Sequence, residues 1–434
     1  MIRKLLLVAM ALAPFAAQAT DGYFSHGYGM KSKGRAGAST AMTDDTFGGA
    51  NNPATMAFAG NRMDLGIDWF RPDRSASRTG SFFGGAIDGA EDGNEASSFL
   101  IPEFGYNRML NPNMSVGITV YGNGGMNTEY PGTALDQGVC MGGLPNGTPA
   151  NLLCGSGKLG VDLSQLIFAP TYARKMGSSQ SWGVSPLIAY QRFKAYGLQP
   201  FMAISSDPNN LTNRGYDDSW GFGVRFGYFA QLSPAFSVGA AYSTKIDMQE
   251  FKKYRGLFAE QGDFDIPENY SAGLAFKASP QLTLAADYKR INYSKVASVG
   301  NSSKIPGAGA GMLGAGSGSI GFGWEDVNVF KLGLEYQWDS RLLLRAGYNI
   351  TDNPIQATDV TFNILAPGVV QDHYTLGATY ALDKESEVTG AFMYAKKNTV
   401  SGQSLFAQFG LPAATSEEAS LMEYSLGVAY ARRF

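Results

Sequence analysis

The sequence has 434 residues, of which 44% are hydrophobic and 16% charged, and its formal net charge is -3. This near-neutral balance gives no basic surface for nucleic acid. After the first twenty positions no run of about 20 apolar residues occurs, which excludes a helical membrane protein. The 55 glycines and the 12% of aromatic residues instead suit transmembrane strands that are apolar on one face only.

The N-terminus has the pattern of a secretory signal peptide. Arg3 and Lys4 are followed by an apolar run, and Ala17-Gln18-Ala19 fits a small-residue cleavage site. We expect residues 1–19 to be removed, so that the mature chain starts at Thr20. The alternative is a membrane-anchoring helix, for which the apolar run is short.

From about residue 61 the sequence repeatedly alternates with period two, which predicts strands with lipid outside and lumen inside. In the last strand, small or polar residues separate Met422, Tyr424, Leu426, Val428 and Tyr430. The same pattern recurs at 236–243, 270–277, 330–338 and 374–382. A soluble β-sandwich also alternates, but it does not need apolar stripes this long around the whole chain behind a signal peptide.

Short and long connections alternate along residues 61–434. Six short turns lie at 111–113, 177–180, 233–234, 279–281, 339–340 and 383–386. Seven long polar or glycine-rich loops lie at about 80–96, 128–158, 198–215, 249–267, 296–323, 351–369 and 400–419. This arrangement predicts an all-β fold: a closed antiparallel transmembrane β-barrel of fourteen strands. The terminal Phe434 resembles the signal that outer-membrane assembly machinery reads.

Residues 20–60 do not alternate and are rich in glycine and alanine. A fourteen-stranded barrel is too wide for side chains alone to fill its interior. We therefore expect this segment to plug the lumen; the alternative is a disordered periplasmic extension.

Four short motifs in this segment resemble one known family. They are Gly22-Tyr23-Phe24, Gly34-Arg35-Ala36-Gly37-Ala38, Thr43-Asp44-Asp45 and Asn52-Pro53-Ala54. In this order they resemble the FadL/TodX (OmpP1) family of outer-membrane fatty-acid and hydrocarbon transporters. Further likeness lies in Asp352-Asn353-Pro354, where Asn353 departs from the small residue expected, and in residues 372–377.

The resemblance implies that residues 20–60 form a gating hatch with Asn52, Pro53 and Ala54 as its hallmark. It places Tyr23 and Phe24 at the end of the hatch that lies near the ligand. It also implies a hydrophobic lumenal pocket, release by hatch movement, and sideways exit at a kink in the third strand.

A matching feature lies in the predicted third strand, Met114 to Thr128, which contains Gly122, Asn123, Gly124 and Gly125. Glycines inside a strand mark bulges or breaks in pairing, so these residues are the candidate lateral opening. The alternative is that they begin the loop.

Parity also predicts which cations face the lumen. Arg225 lies between outward-facing apolar residues of the sixth strand, and Lys331 and Arg345 take the same position on the tenth and eleventh. Each is a candidate partner for a substrate carboxylate. The alternative is that each pairs with a lumenal acid such as Glu335, or with the hatch.

Two loops carry further candidates. Cys140 and Cys154 have no histidine nearby to suggest zinc, and an exported chain favours one disulfide between them. Leu257 and Phe258, amid charged residues in loop 249–267, are candidates for a surface groove that first captures substrate.

The sequence indicates no enzyme, metal site or cofactor. Only two histidines are present, His26 and His373, and no Gly-x-Ser-x-Gly pattern accompanies them. A polar-solute porin usually needs charged rings and an open lumen, which a hatch would fill.

We therefore expect a monomeric outer-membrane channel for passive uptake of long-chain fatty acids or related hydrophobic compounds, in contact with membrane lipid and lipopolysaccharide. The alternatives are a channel for neutral aliphatic or aromatic hydrocarbons, and a surface receptor or adhesin barrel.

Overall fold

Fourteen long strands dominate the computed structural model, which describes residues 21–81, 87–136, 140, 149–304, 312–409 and 412–434. The predicted signal peptide, residues 1–19, lies outside the described residues. The strands are β1 (Arg62–Thr79), β2 (Phe99–Asn111), β3 (Met114–Tyr130), β4 (Leu159–Met176), β5 (Gln180–Tyr196), β6 (Asp217–Ser233), β7 (Phe236–Ser243), β8 (Asn269–Lys277), β9 (Leu282–Ile291), β10 (Val327–Gln337), β11 (Leu342–Thr351), β12 (Asp372–Ala381), β13 (Ser386–Gln403) and β14 (Ser416–Arg433).

Each strand pairs antiparallel with its neighbours in sequence, and β14 pairs with β1 along its full length, from Arg62–Arg433 to Thr79–Ser416. The sheet therefore closes on itself. Closure satisfies the backbone groups that an open edge would leave unpaired in lipid. The predicted fourteen-stranded barrel is confirmed.

The two faces of the strands differ as the alternation predicted. On β6 the side chain of Phe226 is 50% exposed, whereas that of Arg225 is 4% exposed. On β10 the corresponding values are 59% for Leu332 and 4% for Lys331. The apolar face points outward, and polar side chains of the inner face are buried inside the barrel.

Short turns join the strands at one end of the barrel and long loops at the other. By the usual arrangement of such barrels, the short turns are periplasmic and the long loops extracellular. The N-terminal segment contains one short helix, α1 (Met30–Gly34). The long loops contain three more, α2 (Ala259–Gly262), α3 (Ala297–Gly300) and α4 (Val360–Asn363). They also contain short strands at Gly89–Asp92, Leu135–Asp136, Pro149–Ala150 and Asp247–Met248. Turns of 3-10 helix lie at Phe47–Gly49, Pro53–Ala57, Gln199–Ile204, Pro208–Asn210, Lys252–Tyr254, Tyr293–Lys295, Ala357–Asp359 and Leu405–Phe409.

Among the residues described, no helix has the length and apolar character needed to cross a bilayer.

The N-terminal segment, residues 21–61, packs against the inner face of the barrel. Helix α1 contacts β11 to β14 on one side of the lumen, and the 3-10 turn Pro53–Ala57 contacts β4, β5 and β6 on another. Most of its residues are buried and none is exposed. The segment thus lies across the interior.

Candidate functional site

The first residues of the N-terminal segment join an aromatic cluster in the lumen. The Tyr23 ring lies 5.2 Å from Tyr293, 5.8 Å from Trp324 and 6.1 Å from Phe264, measured between ring centroids. Phe24 lies 6.0 Å from Tyr293. We call these five rings the aromatic cluster. Their fully buried faces offer an apolar environment at the end of the segment that the family resemblance placed near a ligand.

The four predicted kink residues form a bulge inside β3 and do not begin a loop. The pairing of β3 with β4 shifts register between Gly122 and Gly124, so that Asn123 is the extra residue. The ladder between β2 and β3 ends at Phe104 and Val120. Both strands continue past this point, to Phe99 and Tyr130, without pairing to each other among the described residues.

The N-terminal segment occupies part of the strand edge thus freed. The amide of Ser25 donates to the carbonyl of Asn123 at 3.1 Å, and the amide of Gly125 donates to the carbonyl of Tyr23 at 3.1 Å. A Cβ on Gly124 would lie 1.7 Å from that Tyr23 carbonyl oxygen. Glycine at this position is therefore required by the close approach of the two backbones.

Arg225 and Lys331 face the lumen but contact the N-terminal segment. The Arg225 guanidinium donates to the carbonyl of Gly49 at 2.9 Å and to that of Ala50. Lys331 Nζ lies 3.3 Å from Asp21 Oδ2 and donates to the carbonyl of His26. The two cations bind groups of the segment itself.

Arg345 belongs to a buried ion network. Its Nε lies 2.5 Å from Glu335 Oε1, and the same oxygen accepts from Arg35 of the segment. Arg35 also bonds to Asp44 at 2.8 Å. The network joins the segment to β10 and β11, and it includes the pairing with Glu335 that the sequence left open.

The acids beside this network have opposed pKa shifts. Burial acts to raise the pKa of Asp44, but Arg35 and Lys31 outweigh it and hold that pKa well below its usual range. Burial, then the charges of Asp44 and Asp64, raise the pKa of Asp45 to about 7, although its side chain is only partly covered. The neighbouring cations thus favour the ionised form of Asp44, whereas the neighbouring acids disfavour the ionised form of Asp45.

Lys289 is a lumenal cation that the sequence analysis missed. It lies on β9, with its ammonium 4.9 Å from the ring centre of Phe24 and 5.8 Å from that of Tyr28. Among the described residues it makes no hydrogen bond or ion pair. The same parity that identified Lys331 would have found it, since Asp287 and Ile291 on either side also face inward.

The Asn52-Pro53-Ala54 motif packs against the inner face of the barrel. The Asn52 amide donates to the carbonyls of Thr40, at 2.8 Å, and Tyr228, at 2.9 Å. A Cβ on Gly227 would lie 2.0 Å from the Asn52 side-chain oxygen. The motif therefore docks on a flat, glycine-lined part of the wall.

The loop candidates lie on the extracellular side. Cys140 and Cys154 are joined as a disulfide with their Cα atoms 5.5 Å apart. Leu257 and Phe258 are buried rather than exposed, and Phe258 packs 4.7 Å from Phe193. They line a small apolar cavity of about 20 Å³ with residues of two strands and two other loops.

Two cavities that described residues line inside the barrel are small. A cavity beside the β3 bulge has a volume of about 20 Å³, and one beside Lys289 has about 30 Å³. Each has room for about one water molecule. A pocket for a drug-sized ligand has a volume on the order of 300 Å³ or more. Side chains must therefore move before a hydrophobic molecule can pass.

Comparison with solved structures gives the same fold. The P. putida toluene transporter TodX is 19% identical, with 94% of this chain and 99% of that chain covered and a TM-score of 0.69. A Pseudomonas aeruginosa FadL homologue is 15% identical, with 95% and 100% covered and a TM-score of 0.68. The Ralstonia pickettii toluene transporter TbuX is 18% identical, with 94% and 99% covered and a TM-score of 0.63.

A comparison with curated protein sequences gives no match. The model of one protein family, described as outer membrane protein transport protein (OMPP1/FadL/TodX), matches residues 10–434. That match covers the N-terminal segment, the bulged strand and the whole barrel. The chain therefore belongs to the OMPP1/FadL/TodX family, and it is a bacterial outer-membrane transporter of hydrophobic compounds and not an enzyme.

Proposed function

We propose that this protein takes up long-chain fatty acids by passive diffusion and that Lys289 binds their carboxylate. The observation that carries the proposal is that the Lys289 ammonium, beside the aromatic cluster, makes no hydrogen bond or ion pair within the described part of the chain. A buried cation without a partner is unfavourable, and a carboxylate is the partner that relieves it. The other candidate cations, Arg225, Lys331 and Arg345, already bind protein groups.

The aromatic cluster supplies the apolar part of the same site. An acyl chain that displaces or slides between these rings gains about 0.8 kcal/mol for each CH₂ removed from water. Tyr23 and Phe24 contribute to this cluster from the N-terminal segment, while Tyr293 and Trp324 contribute from the extracellular loop between β9 and β10. The carboxylate of a fatty acid can therefore bind Lys289 while its acyl chain lies along the aromatic cluster.

Exit is proposed to be sideways, through the wall at the β3 bulge. Support comes from the missing pairing of β2 and β3 beyond Val120, in the region described, where residues 23–25 take the place of a neighbouring strand. Withdrawal of these residues would open a path from the aromatic cluster into the bilayer. The hatch is residues 20–60, in which Asn52, Pro53 and Ala54 serve as an anchor and residues 21–29 as the moving part.

The test is uptake of labelled oleate and labelled hexadecane by cells that lack their own transporter. The Lys289→Met variant is compared with Lys277→Met, which removes an exposed lysine at the end of β8. We expect Lys289→Met to lower oleate uptake at least about tenfold and to leave hexadecane uptake unchanged, because only the acid needs a cation. Lys277→Met should change neither.

Absence of oleate uptake by the wild-type protein, when it is correctly assembled, would refute the fatty-acid proposal. Neutral hydrocarbons would then become the substrate class to examine. Equal loss of both substrates in Lys289→Met would show that Lys289 supports the barrel rather than the substrate. We also propose that the transporter is a monomer in contact with lipid and lipopolysaccharide, because large apolar side chains are exposed on its outer face.

A further inference from the structure

A buried carboxyl group without a partner lies beside the exit region. Glu423, on β14, is fully buried, and neither of its carboxyl oxygens has a hydrogen-bond partner among the described residues. The residues opposite it on the neighbouring strands are Ala395 on β13 and Pro72 on β1. Neither has a side chain that can donate a hydrogen bond, so the wall around Glu423 cannot satisfy it.

Glu423 lines the cavity beside the β3 bulge, here called the kink cavity. The rest of this lining is mostly apolar and includes Phe70, Met126, Trp324 and Leu421. Trp324 also belongs to the aromatic cluster, so the kink cavity adjoins the proposed substrate path. A polar group in such an apolar lining selects strongly for what enters the cavity.

Among the described residues of the lining, Arg74 is the cation, and its guanidinium is bonded to other groups. Its Nη1 donates to the carbonyl and the side-chain oxygen of Asn127, its Nη2 donates to the carbonyl of Ala96 at 2.7 Å, and its Nε donates to Asn94. These bonds hold Arg74 against β3 and the first extracellular loop. Arg74 forms no ion pair with Glu423.

From these contacts we infer that the kink cavity is a binding site for a hydroxyl group and that the preferred substrates are hydroxylated hydrophobic molecules. An ionised carboxyl only accepts hydrogen bonds, whereas a protonated one also donates. A hydroxyl group can form a hydrogen bond with either form of the carboxyl group, because it both donates and accepts. A substrate carboxylate in this cavity would be repelled by an ionised Glu423, and a plain alkyl chain would leave it unpaired.

This inference rests on the proposed function for its second polar group. Lys289 is on β9 and Glu423 on β14, which are five strands apart around the barrel. A fatty acid that uses both groups must therefore have its hydroxyl several carbon atoms away from its carboxylate. Hydroxy acids substituted near the middle of the chain meet this condition, and so do long-chain alcohols, which use Glu423 alone.

The test is direct binding of each ligand to the purified protein in detergent, measured by isothermal titration calorimetry. Stearate is compared with 12-hydroxystearate, and dodecane is compared with dodecanol. We expect the hydroxylated member of each pair to bind at least about tenfold more tightly, because a site that bonds to a hydroxyl discriminates against the analogue without one. Glu423→Leu should abolish this preference, and Glu423→Gln should keep part of it because an amide also accepts and donates.

Ser425→Ala is the matched control, since Ser425 occupies the next inward-facing position of β14 and is outside the kink cavity. It should keep the preference. Equal binding of the two members in both pairs by the wild-type protein would overturn the inference, and this comparison needs no variant to fold. A preference retained in Glu423→Leu would also overturn it.

The two proposals fail in different ways in this experiment. If neither acid binds but dodecanol binds more tightly than dodecane, the fatty-acid proposal fails and the hydroxyl site stands. If both acids bind equally tightly and dodecanol binds no more tightly than dodecane, the hydroxyl site fails and the fatty-acid proposal stands.

Discussion

Arg35 shows how single side chains hold the N-terminal segment inside the barrel. Its guanidinium is fully buried, at 2.8 Å from Asp44 of the segment and 2.5 Å from Glu335 of β10. It also donates to the carbonyl of Ala38. A buried charge with this many partners costs more to remove than it contributes to stability when present, because its partners are left without compensation.

We predict that Arg35→Met lowers the free energy of unfolding by roughly 3 kcal/mol, the lower end for a broken buried pair, since Arg345 still neutralises Glu335. Urea unfolding of protein refolded into lipid vesicles measures this change. The control is Lys158→Met, which removes two ion pairs of a lysine whose side chain is 52% exposed, and no measurable loss is expected. Equal stability of the two variants would contradict the prediction.

The sequence could predict which charged side chains face the lumen, but not which groups they bind there. Period-two parity correctly places Arg225 on the inner face, because one residue of shift reverses every side chain of a strand. Its partners, the carbonyls of Gly49 and Ala50, come from a segment that has no period and is far away in sequence. For the same reason, the lack of a partner at Lys289 or Glu423 could not be predicted without the fold.

At the scale of elements, β3 differs from its neighbours by one inserted residue. Before the bulge the inward-facing side chains have odd numbers, as at Thr119 and Tyr121, and after it they have even numbers, as at Met126 and Thr128. The extra residue, Asn123, allows β3 to leave β2 while it stays paired with β4. The bulge is therefore the feature that separates β2 from β3.

We predict that deletion of Asn123 closes the lateral path. The deletion removes the register shift and keeps Met126 and Thr128 facing inward, so the barrel should still assemble, as judged by heat-modifiable migration in gels. Uptake of oleate should fall at least about tenfold. The matched control is deletion of Lys397, which removes the comparable extra residue between Ala395 and Asn398 of β13. Unchanged uptake after deletion of Asn123 would place the exit elsewhere.

The sequence predicted strands better than loops. Alternation and turn spacing gave all fourteen strands, because lipid and lumen impose a strict period of two. The loop 351–369 was identified only as a polar or glycine-rich connection. The structure shows that it folds inward and that Ile364 and Leu365 are buried, with their carbonyls accepting from Tyr130 and Thr128 of β3. Such long-range contacts leave no periodic signal in a sequence.

Over the whole molecule, two different kinds of contact hold the N-terminal segment in the lumen. Residues 31–54 are tied to the wall by ion pairs and side-chain hydrogen bonds, including Lys33 with Asp68 and the Ser39 amide with Asp287. Residues 23–25 are held at the bulge by main-chain bonds to β3. Because the cavities are far smaller than a fatty acid, some part must move, and residues 21–29 form the part next to the exit.

We predict that fixing the anchored part to the wall leaves transport intact. Thr40 Oγ1 lies 3.1 Å from Ser271 Oγ on β8, so the double variant Thr40→Cys and Ser271→Cys places two sulfur atoms within bonding reach. After oxidation, oleate uptake should remain within about twofold of the same variant before oxidation, because the exit at β3 does not require residues 31–54 to leave the wall. The wild-type protein, treated with the same oxidant, controls for effects on the native disulfide. Loss of uptake on oxidation, with recovery on reduction, would show instead that the whole segment moves during transport, and it would make Asn52-Pro53-Ala54 part of the moving gate rather than its anchor.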